Sequence, residues 1–351
     1  MKNIIGATAS PAAAEVRFLT VDAEFAGQRL DNFLFRELKG VPKTHVYRII
    51  RSGEVRINKG RAQAETRLEA GDVLRLPPLR MAARAVEEGG SQPPPAREFP
   101  LLYEDDAMLA IDKPAGVAVH GGSGVSSGVI EQLRMARPAA RFLELVHRLD
   151  RETSGILLVA KKRSALTGLQ DQFRERETGK TYLALVEGHW PANKKVLDAP
   201  LARYLLPSRP GSSEPGERRV RVVAKDHPDA MRAVTLVKVL ARVSLPIEPA
   251  AFSLLAVTIK TGRTHQIRVH LASGGHAIAG DDKYGVFERN RALQKLGLKR
   301  MFLHAWRLEF THPASGERMA LQAELPPELR ALMPQVALDA LAVSATPVTH
   351  D

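Results

Sequence analysis

Apolar and polar positions alternate in short runs through most of the chain, a pattern that predicts strands joined by polar loops. Residues 142–146 and 156–160 are two such apolar runs, and both have the composition of buried strands. The nine residues between them, His147-Arg148-Leu149-Asp150-Arg151-Glu152-Thr153-Ser154-Gly155, are rich in charge, hydroxyl groups and glycine. The side chains of this loop therefore gather at one edge of a sheet. Either Asp150 and Thr153 satisfy backbone groups of a tight turn, or Asp150 is the centre of a reaction site flanked by arginines.

Three further segments combine a strand pattern with residues that can do chemistry. Residues 180–186 alternate as a strand that carries Tyr182, which residue statistics alone would place in the core. Residues 257–271 predict a strand that leads into a helix beginning near Thr264, which can act as the N-cap. Residues 109–119 predict strands around a Pro-Gly turn, and we expect that turn to be structural.

A helical periodicity marks residues 27–38 and 43–52, and strand-like runs follow at 54–58 and 72–76. Apolar positions of the second helix fall on one face and leave an outer face that includes Tyr47, Arg48 and Arg51. Between residues 27 and 85, 13 Lys and Arg stand against 6 Asp and Glu, a net excess of 7. An excess this localised favours contacts with phosphates.

Breaks in these patterns divide the chain. The pattern predicts a disordered lead-in at residues 1–15 and a small module at residues 16–81. It predicts a linker at residues 82–97 and a larger domain at residues 98–335. Residues 207–219, rich in Pro, Gly and Ser, predict an exposed loop within the larger domain. Residues 336–351 predict a flexible tail.

Composition narrows the class of protein. The 351 residues carry a net charge of +12, which favours a polyanionic partner such as RNA, DNA or an acidic membrane surface. No apolar run approaches the roughly 20 residues of a membrane span, and the N-terminus lacks a signal-peptide pattern. The chain has no cysteine, which excludes disulfides, thiolate catalysis and cysteine-ligated zinc. We therefore expect a soluble, cytoplasmic protein.

The run from His147 to Gly155 resembles the catalytic motif of the RluA-type pseudouridine synthases, which isomerise uridine within RNA. Lys113-Pro114-Ala115-Gly116 and Thr261-Gly262-Arg263-Thr264-His265-Gln266-Ile267-Arg268 are similar to further motifs of that family, and residues 27–76 resemble the S4 RNA-binding module. The likeness covers about residues 16–330 and is greatest to the RluC subgroup, which modifies large-subunit (23S) ribosomal RNA. The resemblance implies an α+β protein: an S4-like domain of two helices and a small sheet, then a large mixed, mostly antiparallel sheet with a central cleft.

The resemblance also implies roles for individual residues. Asp150 would act on the ribose of a flipped-out uridine, Tyr182 would lie against the base, and Arg268, chosen over Arg263, would pair with Asp150. Ile267 would line the uracil pocket, and Arg148 or Arg151 would hold the displaced strand. In the S4-like module, RNA would be bound by a basic set comprising Lys43, Arg48, Arg51 and Arg56.

Chemistry supports this interpretation of Asp150. Isomerisation of uridine has no net redox change, so it needs no cofactor, and an ionised carboxylate can act as nucleophile or base at the sugar. A nearby arginine would keep that carboxylate ionised at neutral pH. His265 and His270 lie about 140° apart on a helix and make a poor pair of metal ligands, so we expect no metal.

Two alternatives of other classes stay open. One is a catalytically inactive RNA-binding factor in ribosome assembly, which a degraded motif would have favoured. The other is a nuclease or phosphotransferase, which would normally need clustered carboxylates for metal ions or a phosphate-binding glycine loop. We expect a monomer that acts on ribosomal RNA or a ribosomal precursor, without a membrane partner.

Overall fold

The computed structural model describes residues 15–38, 41–79, 95–121, 127–206 and 217–345. The chain divides into two compact units, residues 1–92 and 93–351. The predicted lead-in (1–15), linker (82–97) and exposed loop (207–219) lie largely outside the described residues. None of the described helices is long and apolar enough to cross a membrane.

The first unit contains two helices and a small antiparallel sheet, as predicted. Its elements are β1 (Arg17–Thr20), α1 (Leu30–Glu37), α2 (Lys43–Arg51), β2 (Arg56–Ile57), β3 (Gly60–Arg61) and β4 (Val73–Leu76), with a short 3-10 turn at Ala23–Phe25. The strands lie in the order β1-β4-β2-β3. Val46, Ile49 and Ile50 of α2 are buried, which leaves its basic side at the surface.

The second unit is built on a 10-stranded sheet. Its strands and helices are, in chain order, β5 (Leu101–Glu104), β6 (Met108–Lys113), α3 (Val129–Ala136), β7 (Glu144–Leu145), β8 (Ser154–Ala160), α4 (Arg163–Glu175), β9 (Gly179–Glu187), β10 (Val196–Asp198), β11 (Leu201–Leu206), β12 (Glu217–Val222), β13 (Val234–Ser244), β14 (Ala251–Ile259), α5 (Gln266–Ser273), α6 (Phe287–Lys295), β15 (Leu303–Thr311), β16 (Arg318–Gln322), α7 (Pro327–Arg330) and α8 (Gln335–Ala345). The sheet has the order β10-β13-β14-β9-β15-β8-β6-β5, with β16 beside β15 and β7 beside β8. Strands β11 and β12 form a separate two-stranded antiparallel sheet.

The sheet consists of two antiparallel halves joined at a single seam. Strands β8 and β15 run parallel, and they pair only through Ser154 with His304 and Gly155 with Ala305. Gly155 has φ +105°, and a Cβ there would lie 2.2 Å from the carbonyl oxygen of Ala305. Glycine is therefore required where the two halves meet. The result is the mixed, mostly antiparallel sheet that the resemblance implies.

The C-terminal segment differs from the prediction. Within the predicted flexible tail of residues 336–351, residues 336–345 belong to α8, whose Leu338 and Leu341 pack against the main core and whose Ala337 is fully buried; residues 346–351 lie outside the described residues. The apolar residues of this segment recur at helical spacing, so that one face can be buried against the sheet. Composition alone did not distinguish this face from a frayed end.

Candidate active site

The loop between β7 and β8 carries Asp150 into a cavity of about 120 Å³. The cavity is also lined by Tyr182 from β9 and by residues 262–268, where β14 leads into α5. The side chain of Asp150 is one-fifth exposed, at 20%. Residues that lie far apart in the sequence thus meet around one partly accessible carboxylate.

The buried side chain of Lys113 binds the backbone of the Asp150 loop. Nζ of Lys113 donates hydrogen bonds to the carbonyl oxygens of Pro114, Val117 and Arg151, at 2.8, 2.8 and 3.1 Å. The backbone N–H of Gly116 donates to the same Arg151 carbonyl at 2.9 Å. Burial lowers the pKa of Lys113 to about 7. The Pro-Gly turn therefore has the structural role expected of it, since it fixes the residue next to Asp150.

His147, at the start of the loop, is partly buried. Its Nε2 accepts a hydrogen bond from the backbone N–H of Leu158 at 3.1 Å, and its ring stacks on Phe173 with 4.7 Å between centroids. Burial lowers the pKa of His147 to about 3, so the imidazole is neutral. It anchors the loop to β8 and α4.

Arg268 is the arginine that approaches Asp150. Its Nη1 lies 3.8 Å from Asp150 Oδ2. Its Nε and Nη2 donate to the two carboxylate oxygens of Asp281 at 2.7 and 2.6 Å, in a pair whose side chains are 4% and 1% exposed. Arg263 lines the same cavity, but its Nε donates to the carbonyl of Arg232 at 3.2 Å. A buried, bidentate pair thus fixes the orientation of the Arg268 guanidinium beside Asp150.

Tyr182 lines the cavity, and its side chain is almost wholly buried. Burial and the charge of Asp150 both raise the pKa of its hydroxyl, which keeps the phenol neutral. Ile267 and Arg148 line the cavity as well. Arg151 does not, because its exposed side chain donates to the Gly116 carbonyl at 3.1 Å and lies 3.2 Å from Glu152. Of the two loop arginines, Arg148 is the one at the cavity.

Sequence reasoning missed three residues around this carboxylate: His265, Asp281 and Tyr284. The predicted N-cap, Thr264, is wrong by one position, since α5 begins after His265, whose backbone is left-handed with φ +52°. Asp281 and Tyr284 belong to the loop between α5 and α6. A buried arginine needs a carboxylate partner, and this rule was the available signal for Asp281.

No group of three or more His, Cys, Asp or Glu among the described residues is arranged to hold a metal ion. Both ring nitrogens of His270 have partners, at 2.9 Å from the Thr235 hydroxyl and 2.8 Å from the Ala199 carbonyl. His265 faces Tyr284 and Asp150 instead. The two histidines therefore serve separate hydrogen-bond networks.

The first unit has its own basic surface, formed by the exposed residues Lys43, Arg48, Arg51 and Arg56. Arg51 also lines a groove of about 840 Å³ with Tyr47 and Arg61. An exposed arginine and an exposed tyrosine beside an open groove suit contacts with a nucleic-acid backbone and bases.

Comparison with known proteins agrees with these features. Residues 107–273 match the family model described as RNA pseudouridylate synthase, and residues 28–74 match the S4 domain. The chain is 50% identical over 319 residues to ribosomal large subunit pseudouridine synthase C of Escherichia coli (strain K12), covering 90% of this chain and 95% of that protein. It is 49% identical over 317 residues to the protein of the same name from Yersinia pestis, covering 90% and 94%.

Solved structures show the same likeness. Human RNA pseudouridylate synthase domain containing 1 matches with a TM-score of 0.53 and 25% identity, over 73% of this chain and 99% of that chain. Human RNA pseudouridylate synthase domain containing 4 matches with a TM-score of 0.51 and 29% identity, over 69% and 92%. The chain, with Asp150 in its cavity and an S4 domain before it, belongs to the RNA pseudouridylate synthase family.

Proposed function

We propose that this protein isomerises specific uridines of large-subunit (23S) ribosomal RNA to pseudouridine, with Asp150 acting on the ribose of a flipped-out uridine. The observation that carries this proposal is the placement of Asp150 beside Arg268 and Tyr182 in one cavity. The relatives that cover nine-tenths of the chain are named for large-subunit pseudouridine synthesis. Their names supply the substrate class.

The reaction breaks the bond between N1 of uracil and C1′ of ribose, turns the base, and joins C1′ to C5. C5 loses its hydrogen as a proton and N1, freed from the ribose, takes up a proton, so the product has the same mass and no redox partner is required. Asp150 contributes its ionised carboxylate at the sugar, as nucleophile at C1′ or as base. Arg268 places its positive charge 3.8 Å from this carboxylate and orients it.

The remaining cavity residues would bind the base and its strand. Extruding a uridine from the stack costs a few kcal/mol, which stacking against Tyr182 and contacts of Arg148 with phosphate offset. Ile267 supplies an apolar wall of the uracil pocket, and Arg263 and Arg151 offer further cations to the strand. The S4 domain adds affinity through Lys43, Arg48, Arg51 and Arg56, by contacts to phosphates.

The test is release of tritium from 23S rRNA labelled at uracil C5, in the presence of EDTA. We expect wild-type protein to release tritium and Asp150→Ala and Asp150→Asn to release none, while RNA binding stays the same. Asp171→Asn, on the surface of α4, is the matched control and should behave as wild type. If neither naked rRNA nor ribosomal precursor particles lose tritium with wild-type protein, the inactive assembly factor is the better description.

Monomeric state and a cytoplasmic location are further parts of the proposal. Light scattering of the purified protein tests the first, with the mass of one 38.4 kDa chain expected. Fractionation of cells that express the tagged chain tests the second, with the protein expected among assembling ribosomes.

A further inference from the structure

His265 lies between the Asp150 carboxylate and the hydroxyl of Tyr284. Its Nδ1 is 2.9 Å from Tyr284 Oη, and its Nε2 is 4.0 Å from Asp150 Oδ2. The side chain is 15% exposed. The rings of Tyr284 and His265 meet edge-on with 5.6 Å between their centroids, and the Arg268 guanidinium carbon lies 5.1 Å from the centre of the Tyr284 ring. Tyr284 therefore fixes the place of both groups that approach Asp150.

The hydrogen bonds of Tyr284 favour one position for the hydrogen on the His265 ring. The backbone N–H of Val220 donates to Tyr284 Oη at 3.2 Å, so the oxygen already accepts one hydrogen bond. Among the described residues, the only acceptor in reach of the Tyr284 O–H is His265 Nδ1. If Nδ1 accepts, the single hydrogen of a neutral imidazole lies on Nε2. That nitrogen is the one directed at Asp150.

The charges around His265 favour this neutral form. Burial lowers the pKa of His265, Asp150 and Asp281 oppose that shift, and Arg268 and Lys283 reinforce it. The phenol of Tyr284 also stays neutral, because burial raises its pKa. An imidazole of this kind is a donor to a carboxylate rather than a second fixed cation.

We propose that His265 is a second positioning residue for Asp150. It presents Nε2–H to Oδ2 of Asp150, the same carboxylate oxygen that Arg268 approaches. This inference rests on the proposed function. With both partners on Oδ2, the other oxygen, Oδ1, is left to meet the ribose. The separations of 3.8 and 4.0 Å are longer than hydrogen bonds, and catalytic contacts of this kind tighten when the reacting complex forms.

A matched pair of variants separates this role from simple packing. His265→Met keeps the length of the side chain but has no donor, and His265→Gln places an amide N–H near the position of Nε2. We expect kcat for tritium release to fall about 10- to 100-fold in His265→Met, as for other partners that orient a reactive group. We expect His265→Gln to recover most of that loss, with KM for rRNA within about twofold of wild type in both variants, because affinity comes from phosphate contacts elsewhere. Equal activity of the two variants, whether high or low, would overturn the proposal.

Tyr284→Phe tests the orientation of the ring. It removes the O–H that fixes Nδ1 as acceptor and keeps the aromatic contact, and we expect kcat to fall about three- to tenfold, the value of one neutral hydrogen bond. Wild-type kcat in this variant would contradict the assignment.

A spectroscopic measurement does not depend on activity. Nitrogen-15 NMR of the wild-type protein, with the His265 signals assigned by their loss in His265→Gln, should show a neutral ring protonated at Nε2 at pH 7. A ring protonated at Nδ1 would overturn the proposal even if the enzyme is active. Absence of tritium release from wild-type protein would instead overturn the proposed function. The NMR result does not test that function, so the two failures can be distinguished.

Discussion

Asp281→Asn removes the charge of this side chain and leaves the side-chain volume almost unchanged. We expect the substitution to destabilise the second unit. In Asp281→Asn, Arg268 loses the carboxylate that accepts two of its hydrogen bonds, and the new amide N–H₂ group faces guanidinium donors. The guanidinium is 4% exposed, so water cannot replace the lost partner. Breaking a buried pair from one side costs about 3–5 kcal/mol.

Two weaker neighbours reduce this cost. Asp282 lies 3.3 Å from Arg268 Nη2, and Asp150 lies 3.8 Å from Nη1. Neither makes the bidentate contact of Asp281, and Asp282 is 70% exposed, so screening keeps its contribution within about 1 kcal/mol. We therefore expect a loss of about 3 kcal/mol in the free energy of unfolding.

Tryptophan fluorescence in a urea titration reports the unfolding of the second unit and so measures this loss of stability. The chain has two tryptophans, Trp190 and Trp306, and both are buried in the second unit. Asp282→Asn is the matched control and should change the free energy of unfolding by less than about 1 kcal/mol. Adding Arg268→Met to Asp281→Asn removes the unpaired charge, and we expect it to restore most of the stability but no tritium release. If Asp281→Asn costs no more than Asp282→Asn, the buried pair is not what holds Arg268.

Three further outcomes follow from the geometry. Burial lowers the pKa of His304 to about 4, so this ring is neutral in the folded state, whereas in the unfolded chain it takes up a proton below about pH 6.5. The free energy of unfolding should therefore fall by about 3 kcal/mol as the pH drops from about 6.5 to about 4. In urea titrations across that range, His304→Gln should show a shallower decline. Tyr182→Ala should lower kcat/KM for tritium release about 10- to 100-fold, because it removes the stacking surface. Tyr182→Phe retains the aromatic ring and should retain the contribution of stacking to kcat/KM. Identical losses in the two variants would argue against stacking. Arg51→Ala should weaken rRNA binding and reduce the salt-dependence slope by about one, measured by filter binding at several salt concentrations; an unchanged slope would remove Arg51 from the phosphate contacts.

Local pattern in the sequence predicted much of the fold. The periodicity of residues 43–52 identified both the helix α2 and its buried face, and the alternation at 180–186 identified β9. Arg268 was preferred to Arg263 from the resemblance, and the structure brings Arg268 to Asp150. These features depend on neighbours in the sequence or on a motif that spans them.

The features that the sequence did not reveal depend on distant contacts or unusual backbone. Asp281 stands 13 residues after Arg268, and nothing in its own surroundings marks it as a buried ion-pair partner. The left-handed backbone of His265 moves the helix start by one residue, and residues other than glycine adopt this conformation only rarely. The helix α8 was missed because its stability comes from burial against the sheet rather than from strong end signals.

The seam between β8 and β15 also bears on how the protein acquires activity. Asp150 precedes β8 on one side of this seam, and Tyr182 lies on β9 beyond β15 on the other, so neither half of the sheet contains a complete site. The seam pairs Ser154 with His304, 150 residues further along the chain. Contacts between such distant residues form slowly, because a long loop must close before they stabilise anything. On refolding, the tritium-releasing activity should therefore return in the last kinetic phase, after the two antiparallel halves have regained their secondary structure.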